Sequence, residues 1–192
     1  MMRLLNFRVV LSCAALLAAA PFALAAAGAV PSGPVIACKG SAKNLKTYLM
    51  MHDVLFMQRD GSRAGEFYAA EVLSHDQDRG GGGGMKVKTA DLAAMWEASR
   101  KNNPDRVLAD DLIVCRGPYV VVRTTIHNSD RVGFAGNAPT GKSYSISGID
   151  IYRFENGKVV ERWGNSDLVG MLKQMGYALT PPAPPAQPPA VH

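Results

Sequence analysis

Residues that bind metals or carry redox chemistry are scarce in this chain. Its 192 residues include 3 cysteines and 4 histidines, with no C-x-x-C pair and no H-E-x-x-H. That argues against a zinc site of standard spacing. Lys and Arg number 21 against 16 Asp and Glu, but the basic residues are scattered. A nucleic-acid binder concentrates them in a dense stripe, and none is present. No internal repeat is visible. What is there reads as globular. Hydrophobic residues make up 47% and charged residues 19% of the chain, which excludes a wholly disordered polypeptide. The length suits one domain of ordinary size.

Residues 1–25 read as a secretory signal peptide. Arg3 and Arg8 form a positive start, Val9 to Ala20 is an apolar run, and Ala23-Leu24-Ala25 is a small-x-small cleavage site. The apolar run is too short to span a bilayer comfortably, so a retained anchor is the lesser alternative. The expected location is the periplasm or the medium. Cleavage removes Cys13 and leaves Cys38 and Cys115. In an oxidising compartment these two either pair or stay as buried thiols, and the sequence leaves both open.

Residues 26–37 read as a linker, 38–179 as the folded domain, and 180–192, with six prolines, as a tail that cannot build a core. Within the domain, apolar spacing predicts a helix from Ser41 to Gln58, a short one near Arg63 to Ala70, and a third from Ala90 to Lys101 capped by Thr89. Glu71 to Asp76 is extended, and the run Gly80 to Gly84 is a loop. Strands are expected over Val107–Cys115, Tyr119–His127, Lys142–Phe154 and Val159–Trp163, the last two joined at Asn156-Gly157. A last helix, capped by Ser166 or Asp167, runs to Met175 and ends at Gly176. Helices first and an antiparallel meander last make an α+β plan.

Gly136 to Ser143 spells G-x-x-x-x-G-K-S, the phosphate-binding loop motif. Such a loop needs a helix after it, whose free N–H groups hold the phosphates. Here the following residues, Tyr144 to Tyr152, are β-branched, aromatic and small, so a strand follows and the match is fortuitous.

Asp150 is the first candidate for chemistry. Strand alternation puts it on one face with Tyr144, Ile146, Gly148, Tyr152 and Phe154. A carboxyl among such residues is raised by burial into the range of a general acid or base; a pair with Arg123 or Arg153 is the plainer alternative. His52 lies on the apolar face of the first helix, where a histidine is most simply a core residue. His75, beside the glycine loop, either lines a pocket or is solvated. Trp96 and Trp163 are core residues by default and pocket walls otherwise. Asp167 is first of all a helix cap.

The run Phe134 to Lys142, then Gly148-Ile149-Asp150-Ile151-Tyr152-Arg153-Phe154, then Asn156-Gly157-Lys158-Val159-Val160-Glu161-Arg162-Trp163 and Asp167-Leu168, resembles the SnoaL-like polyketide cyclase family. Ser74-His75-Asp76 is similar to that family's earlier His-Asn/Asp position. The resemblance implies a nuclear transport factor 2-like cone, a curved antiparallel sheet wrapped by N-terminal helices. It also implies a small-molecule ligand in that cone, no metal or cofactor, and ring closure by carboxylate acid/base catalysis. The scattered charge implies no nucleic-acid partner, and cleavage of the signal leaves no membrane segment; a homodimer is left open. On the resemblance, Asp150, His75 and Asp167 are the candidate catalytic residues, and His52, Trp96, Tyr144, Tyr152 and Trp163 the candidate ligand contacts. The chain departs from the family at Gly164, where an acid commonly follows the tryptophan. The alternative is therefore a secreted binding module of the same fold, without chemistry.

Overall fold

A computed structural model describes residues 33–76 and 84–178. The expected signal peptide, residues 26–32 of the linker, most of the glycine run and the proline-rich tail lie outside them. The element order is β1 (Val35–Lys39), α1 (Ala42–Met51), a π-helical segment (His52–Met57), a 3-10 turn (Gly61–Arg63), α2 (Ala64–Phe67), β2 (Tyr68–Ser74), β3 (Met85–Lys88), α3 (Thr89–Asn102), β4 (Val107–Arg116), β5 (Tyr119–Ser129), β6 (Ser143–Glu155), β7 (Lys158–Ser166) and α4 (Leu168–Met175).

The strands form one curved, open sheet in the order β1-β4-β5-β6-β7-β2-β3. The four long strands β4 to β7 pair antiparallel, as the meander pattern predicts. Two outer pairings are parallel instead: β1 with β4 and β2 with β7. The expected linker thus overlaps β1. Val35, Ile36 and Ala37 extend alongside Leu112 to Val114, and Cys38 lies opposite Cys115. Those two cysteines form a disulfide, with their Cα atoms 4.3 Å apart.

Helices α1 to α3 cover the inner face of the sheet. Tyr48, Met51, Val54 and Leu55 recur at helical spacing and are buried against Val120, Val122, Tyr152 and Phe154. Trp96 and Leu92 of α3 join the same core. Ser41 stands at the N-cap position of α1, but its side-chain oxygen accepts from no helix amide; the hydroxyl donates to the Gly117 carbonyl at 2.9 Å. Thr89 is the first residue of α3, and its hydroxyl donates to the Ala69 carbonyl. The short helix near Arg63 ends at Phe67, because Tyr68 is already extended and pairs with Val159.

Two bulges decide which side chains face the helices. In β4 the pairing shifts between Asp110 and Leu112, so Asp110 lies opposite Thr124 and Ile113 opposite Val122. Asp111 is the extra residue, and both Asp110 and Ile113 turn inward. In β7 the pairing shifts so that Phe154 faces Val159 while Arg153 faces Glu161. Val160 is the extra residue, and beyond it the alternation reverses. Arg162 and Gly164 then point inward, and Trp163 outward.

The segment carrying the phosphate-loop letters is a loop between β5 and β6. Buried Asp130 organises it, accepting from the amides of Gly133 (2.9 Å) and Thr140 (2.8 Å) and from the Thr140 hydroxyl (2.8 Å). These bonds hold the Asp130 carboxyl below the usual carboxylate range, the Thr140 amide contributing most. Strand β6 begins at Ser143, so no helix N-terminus stands where a phosphate would need one.

Candidate active site

A cavity of about 320 Å³ opens between the inner face of the sheet and the helices. Its apolar wall is local in origin. The π-helical segment widens the end of α1, and from it His52, Leu55 and Phe56 reach the cavity; such segments are frequent at functional sites. Met95 and Trp96 of α3 complete that wall. The rings form a chain: His52 to Phe56 at 5.9 Å, Phe56 to Trp96 at 6.0 Å and Tyr48 to Tyr152 at 5.5 Å between centroids.

The sheet side is polar and carries two carboxylate centres. In the first, Arg162 lies between two acids. Its Nη2 donates to Asp150 Oδ1 at 2.8 Å, and its Nη1 is 3.1 Å from Asp76 Oδ2. Burial pushes the Asp150 carboxyl above the ordinary carboxylate range, and Arg162 pulls against that shift. Burial also works against the Arg162 charge, but the neighbouring acidic groups outweigh it, so the guanidinium holds its proton more tightly than usual.

Gly164 makes this arrangement fit. A Cβ there would stand 2.7 Å from an Asp76 carboxylate oxygen, 2.8 Å from an Arg162 nitrogen and 2.9 Å from Asp150 Oδ1. The carboxylates of Asp76 and Asp150 thus occupy the space that a side chain on Gly164 would take. Gly164→Ala is expected to part the Asp76–Arg162–Asp150 bridge and to cost about 1–3 kcal/mol as overpacking. Urea unfolding of the variant checks this.

The second centre is Asp110, whose side chain is 5% exposed. The Tyr48 hydroxyl donates to it, 3.0 Å from Oδ2 and 3.1 Å from Oδ1. His52 Nε2 is 3.5 Å from Oδ1. Burial raises the Asp110 carboxyl, while His52 and the Tyr48 hydrogen bond oppose the rise. Burial, and then the Asp110 charge, push the Tyr48 phenol far above its ordinary value, so it stays a neutral donor.

Of the candidate residues read from the sequence, the structure brings Asp150, His52, Trp96 and Tyr152 to this cavity. It places the other four elsewhere. His75 and Trp163 are on the outer face of the sheet, stacked with centroids 5.0 Å apart and planes 4° from parallel. There His75 Nε2 lies 2.9 Å from Glu161 Oε1, and Glu161 Oε2 also accepts from Arg153 Nε at 2.7 Å. The bulge at Val160 is the reason: it sends Trp163 outward, and β2 follows β7 in parallel, so His75 goes with it while Asp76 turns in. Asp167 is the N-cap of α4 and accepts from the Gly170 amide at 2.7 Å. Tyr144 lies further along the inner face, where its hydroxyl accepts from Asn128 Nδ2 at 2.9 Å beside a separate cavity of about 290 Å³.

Tyr48, Asp110 and Arg162 were not among the candidates read from the sequence, and Asp76 was noted only as the neighbour of His75. The pair Asp110-Asp111 inside an apolar strand run was a usable signal, since one acid of such a pair faces the core side; even with the bulge at Asp111, that acid is Asp110. Among the described residues, no group of three or more His, Cys, Asp or Glu side chains is placed to hold a metal ion.

The family model for SnoaL-like polyketide cyclase matches residues 46–175. Among solved structures the chain is similar to IdmH of Streptomyces antibioticus, a proposed polyketide cyclase, at 24% identity and a TM-score of 0.59, covering 69% of this chain and 98% of that one. It is similar to AclR of Streptomyces galilaeus, a proposed hydroxylase, at 25% identity and a TM-score of 0.59, covering 74% and 90%. A proposed polyketide cyclase of Acidithiobacillus ferrooxidans matches at 18% identity and a TM-score of 0.61, covering 71% and 96%. No curated protein matches the chain.

Proposed function

The chain belongs to the SnoaL-like polyketide cyclase family, and from that premise we propose that its cavity binds a small, largely apolar carbonyl compound and moves a proton at the carbon next to the carbonyl. The observation that carries this reading is the placing of two carboxylate centres, Asp150 and Asp110, in one aromatic-walled cavity.

Their surroundings suit opposite roles. Arg162 stabilises the ionised form of Asp150, which makes Asp150 the base. Only Oδ1 is bonded to Arg162, so Oδ2 is the oxygen offered to substrate. Asp110 has the less exposed side chain, and its Oδ1 lies 3.5 Å from His52 Nε2, close enough to favour a cationic imidazole, so His52 takes the role of proton donor. Asp150 takes the α-proton, the C–H electron pair moves into the enolate, and His52 protonates the enolate oxygen. As the enol carbon attacks a second carbonyl of the same molecule, the enol O–H returns its proton to His52 and the new alkoxide takes the proton held on Asp150, which closes the ring and restores both residues; in an isomerisation Asp150 gives that proton to another carbon instead. Leu55, Phe56 and Trp96 exclude water from that intermediate. No step needs a metal or a cofactor.

Export to the periplasm or medium is part of this proposal. The Cys38–Cys115 bond supports it, since structural disulfides persist in oxidising compartments.

A second reading has its own support. Arg162 already satisfies Asp150 in part, and the acid that commonly follows the tryptophan is Gly164. Both features favour a binding module without chemistry. Exchange of α-protons separates the two. With 4-oxo-4-phenylbutanamide in deuterated buffer, followed by proton NMR, the catalytic reading expects loss of the α-CH2 signal well above the buffer rate. Binding of the probe with exchange at the buffer rate is the outcome for a module, and it contradicts the catalytic reading.

A further inference from the structure

One side of the cavity is not used by the acid/base chemistry. Arg59 follows the π-helical segment, Arg106 immediately precedes β4, and both line the cavity. Both are fixed on the same turn. Arg59 donates through Nη1 to the Asn103 carbonyl and through Nη2 to the Pro104 carbonyl at 3.2 Å. The Arg106 amide donates to the Asn103 carbonyl at 3.1 Å, and its Nη1 makes one long contact, 3.4 Å, to the Ser99 hydroxyl.

Neither guanidinium forms an ion pair among the described residues, unlike Arg162, which has two. Arg59 Nε is buried and has no hydrogen-bond partner. Burial lowers the Arg106 guanidinium below its usual value, and the nearby Arg59 charge adds to the effect. Cations withdrawn from water call for a counter-charge. The acids of this cavity are otherwise engaged: Asp76 and Asp150 with Arg162, Asp110 with Tyr48 and His52. The counter-charge missing among the described residues is one that a ligand can bring.

We propose that Arg59 and Arg106 bind the carboxylate of an organic acid, so that the substrate is a carbonyl compound bearing one carboxylate. The guanidinium fork matches a carboxylate in plane and spacing. A phosphate dianion fits less well, because Asp150, Asp110 and Asp76 share the same cavity. The aromatic wall takes the hydrocarbon part of such a molecule. Asp150 lies within electrostatic reach of Arg106, so a carboxylate held there places the neighbouring carbons toward the base.

This inference rests on the cavity being a ligand site and deepens that reading. The test compares 4-oxo-4-phenylbutanoate with its neutral amide, 4-oxo-4-phenylbutanamide, by isothermal titration calorimetry on the purified protein. The acid is expected to bind at least tenfold more tightly than the amide at low salt, with the preference shrinking as salt rises. Arg106→Gln is expected to weaken acid binding far more than amide binding, so that the preference disappears, and Arg59→Gln to do the same in part. Equal affinity for acid and amide in the unmodified protein overturns the anion site and leaves the cavity reading standing; that comparison needs no variant to fold. A preference that survives Arg106→Gln also overturns it. If neither probe binds, the ligand-site reading and this inference fall together.

Discussion

Asp150→Asn is expected to lower turnover by about 10²–10⁴-fold while ligand binding stays nearly unchanged. The amide has the size of the carboxyl group and still accepts from Arg162, so the floor of the cavity keeps its shape. What it loses is basicity, because an amide oxygen takes a proton only far below neutral pH. An interaction used only in the transition state gives this signature, a fall in kcat with KM held. Steady-state kinetics on any compound that the protein turns over, with calorimetric binding beside it, checks both halves. Equal losses of affinity and turnover would mean that Asp150 serves to build the pocket.

Removing the Cys38–Cys115 bond is expected to destabilise the fold by about 4.5 kcal/mol. The bond closes a loop with a sequence separation of 77 residues, and a loop of that length restricts the unfolded chain by roughly this amount in the chain-entropy model. The native state depends on it locally too. Strand β1 is an edge strand whose first three residues are exposed, so little apolar burial holds it to β4. The double variant Cys38→Ser/Cys115→Ser should shift the urea midpoint accordingly and release β1 first. Amide exchange over Val35–Lys39 reads that release directly. Full protection of β1 in the double variant would show that strand pairing alone holds it.

Much of the scaffold was legible because it is local. Asn156 and Gly157 both adopt positive φ, 49° and 78°, the requirement of the hairpin turn that their dipeptide signals. Gly176 takes φ 90° and ends α4 where a helix must stop. In β6, simple alternation holds from Tyr144 to Phe154, so Asp150 could be assigned to the inner face from sequence. In β4 and β7 the same counting fails. One extra residue in each, Asp111 and Val160, reverses the faces beyond it. A bulge has no short sequence signature, so Trp163, expected in the core or a pocket wall, lies on the outer face, and His75 lies there with it.

The remaining gaps are long-range. The parallel pairing of β1 with β4 and of β2 with β7 joins segments far apart in sequence, and no local pattern encodes a partner. The convergence of Tyr48, Asp110 and His52 has the same origin: 62 residues separate Tyr48 from Asp110. Gly164 is the most instructive position. Taken alone it reads as a missing acid. In the fold it is the opening through which Asp76, Arg162 and Asp150 meet.

The central claim is that Asp150 takes a proton from a molecule held in the cavity. Deuterium exchange at the α-carbon of 4-oxo-4-phenylbutanamide tests it most directly, measured side by side on the unmodified protein, Asp150→Asn and Asp167→Asn. Asp150→Asn is expected to fall to the buffer rate. Asp167→Asn should keep both the exchange rate and nearly all of the stability, because the Asn side-chain oxygen caps a helix about as well as Asp. Exchange that survives in Asp150→Asn and disappears in Asp167→Asn would contradict it.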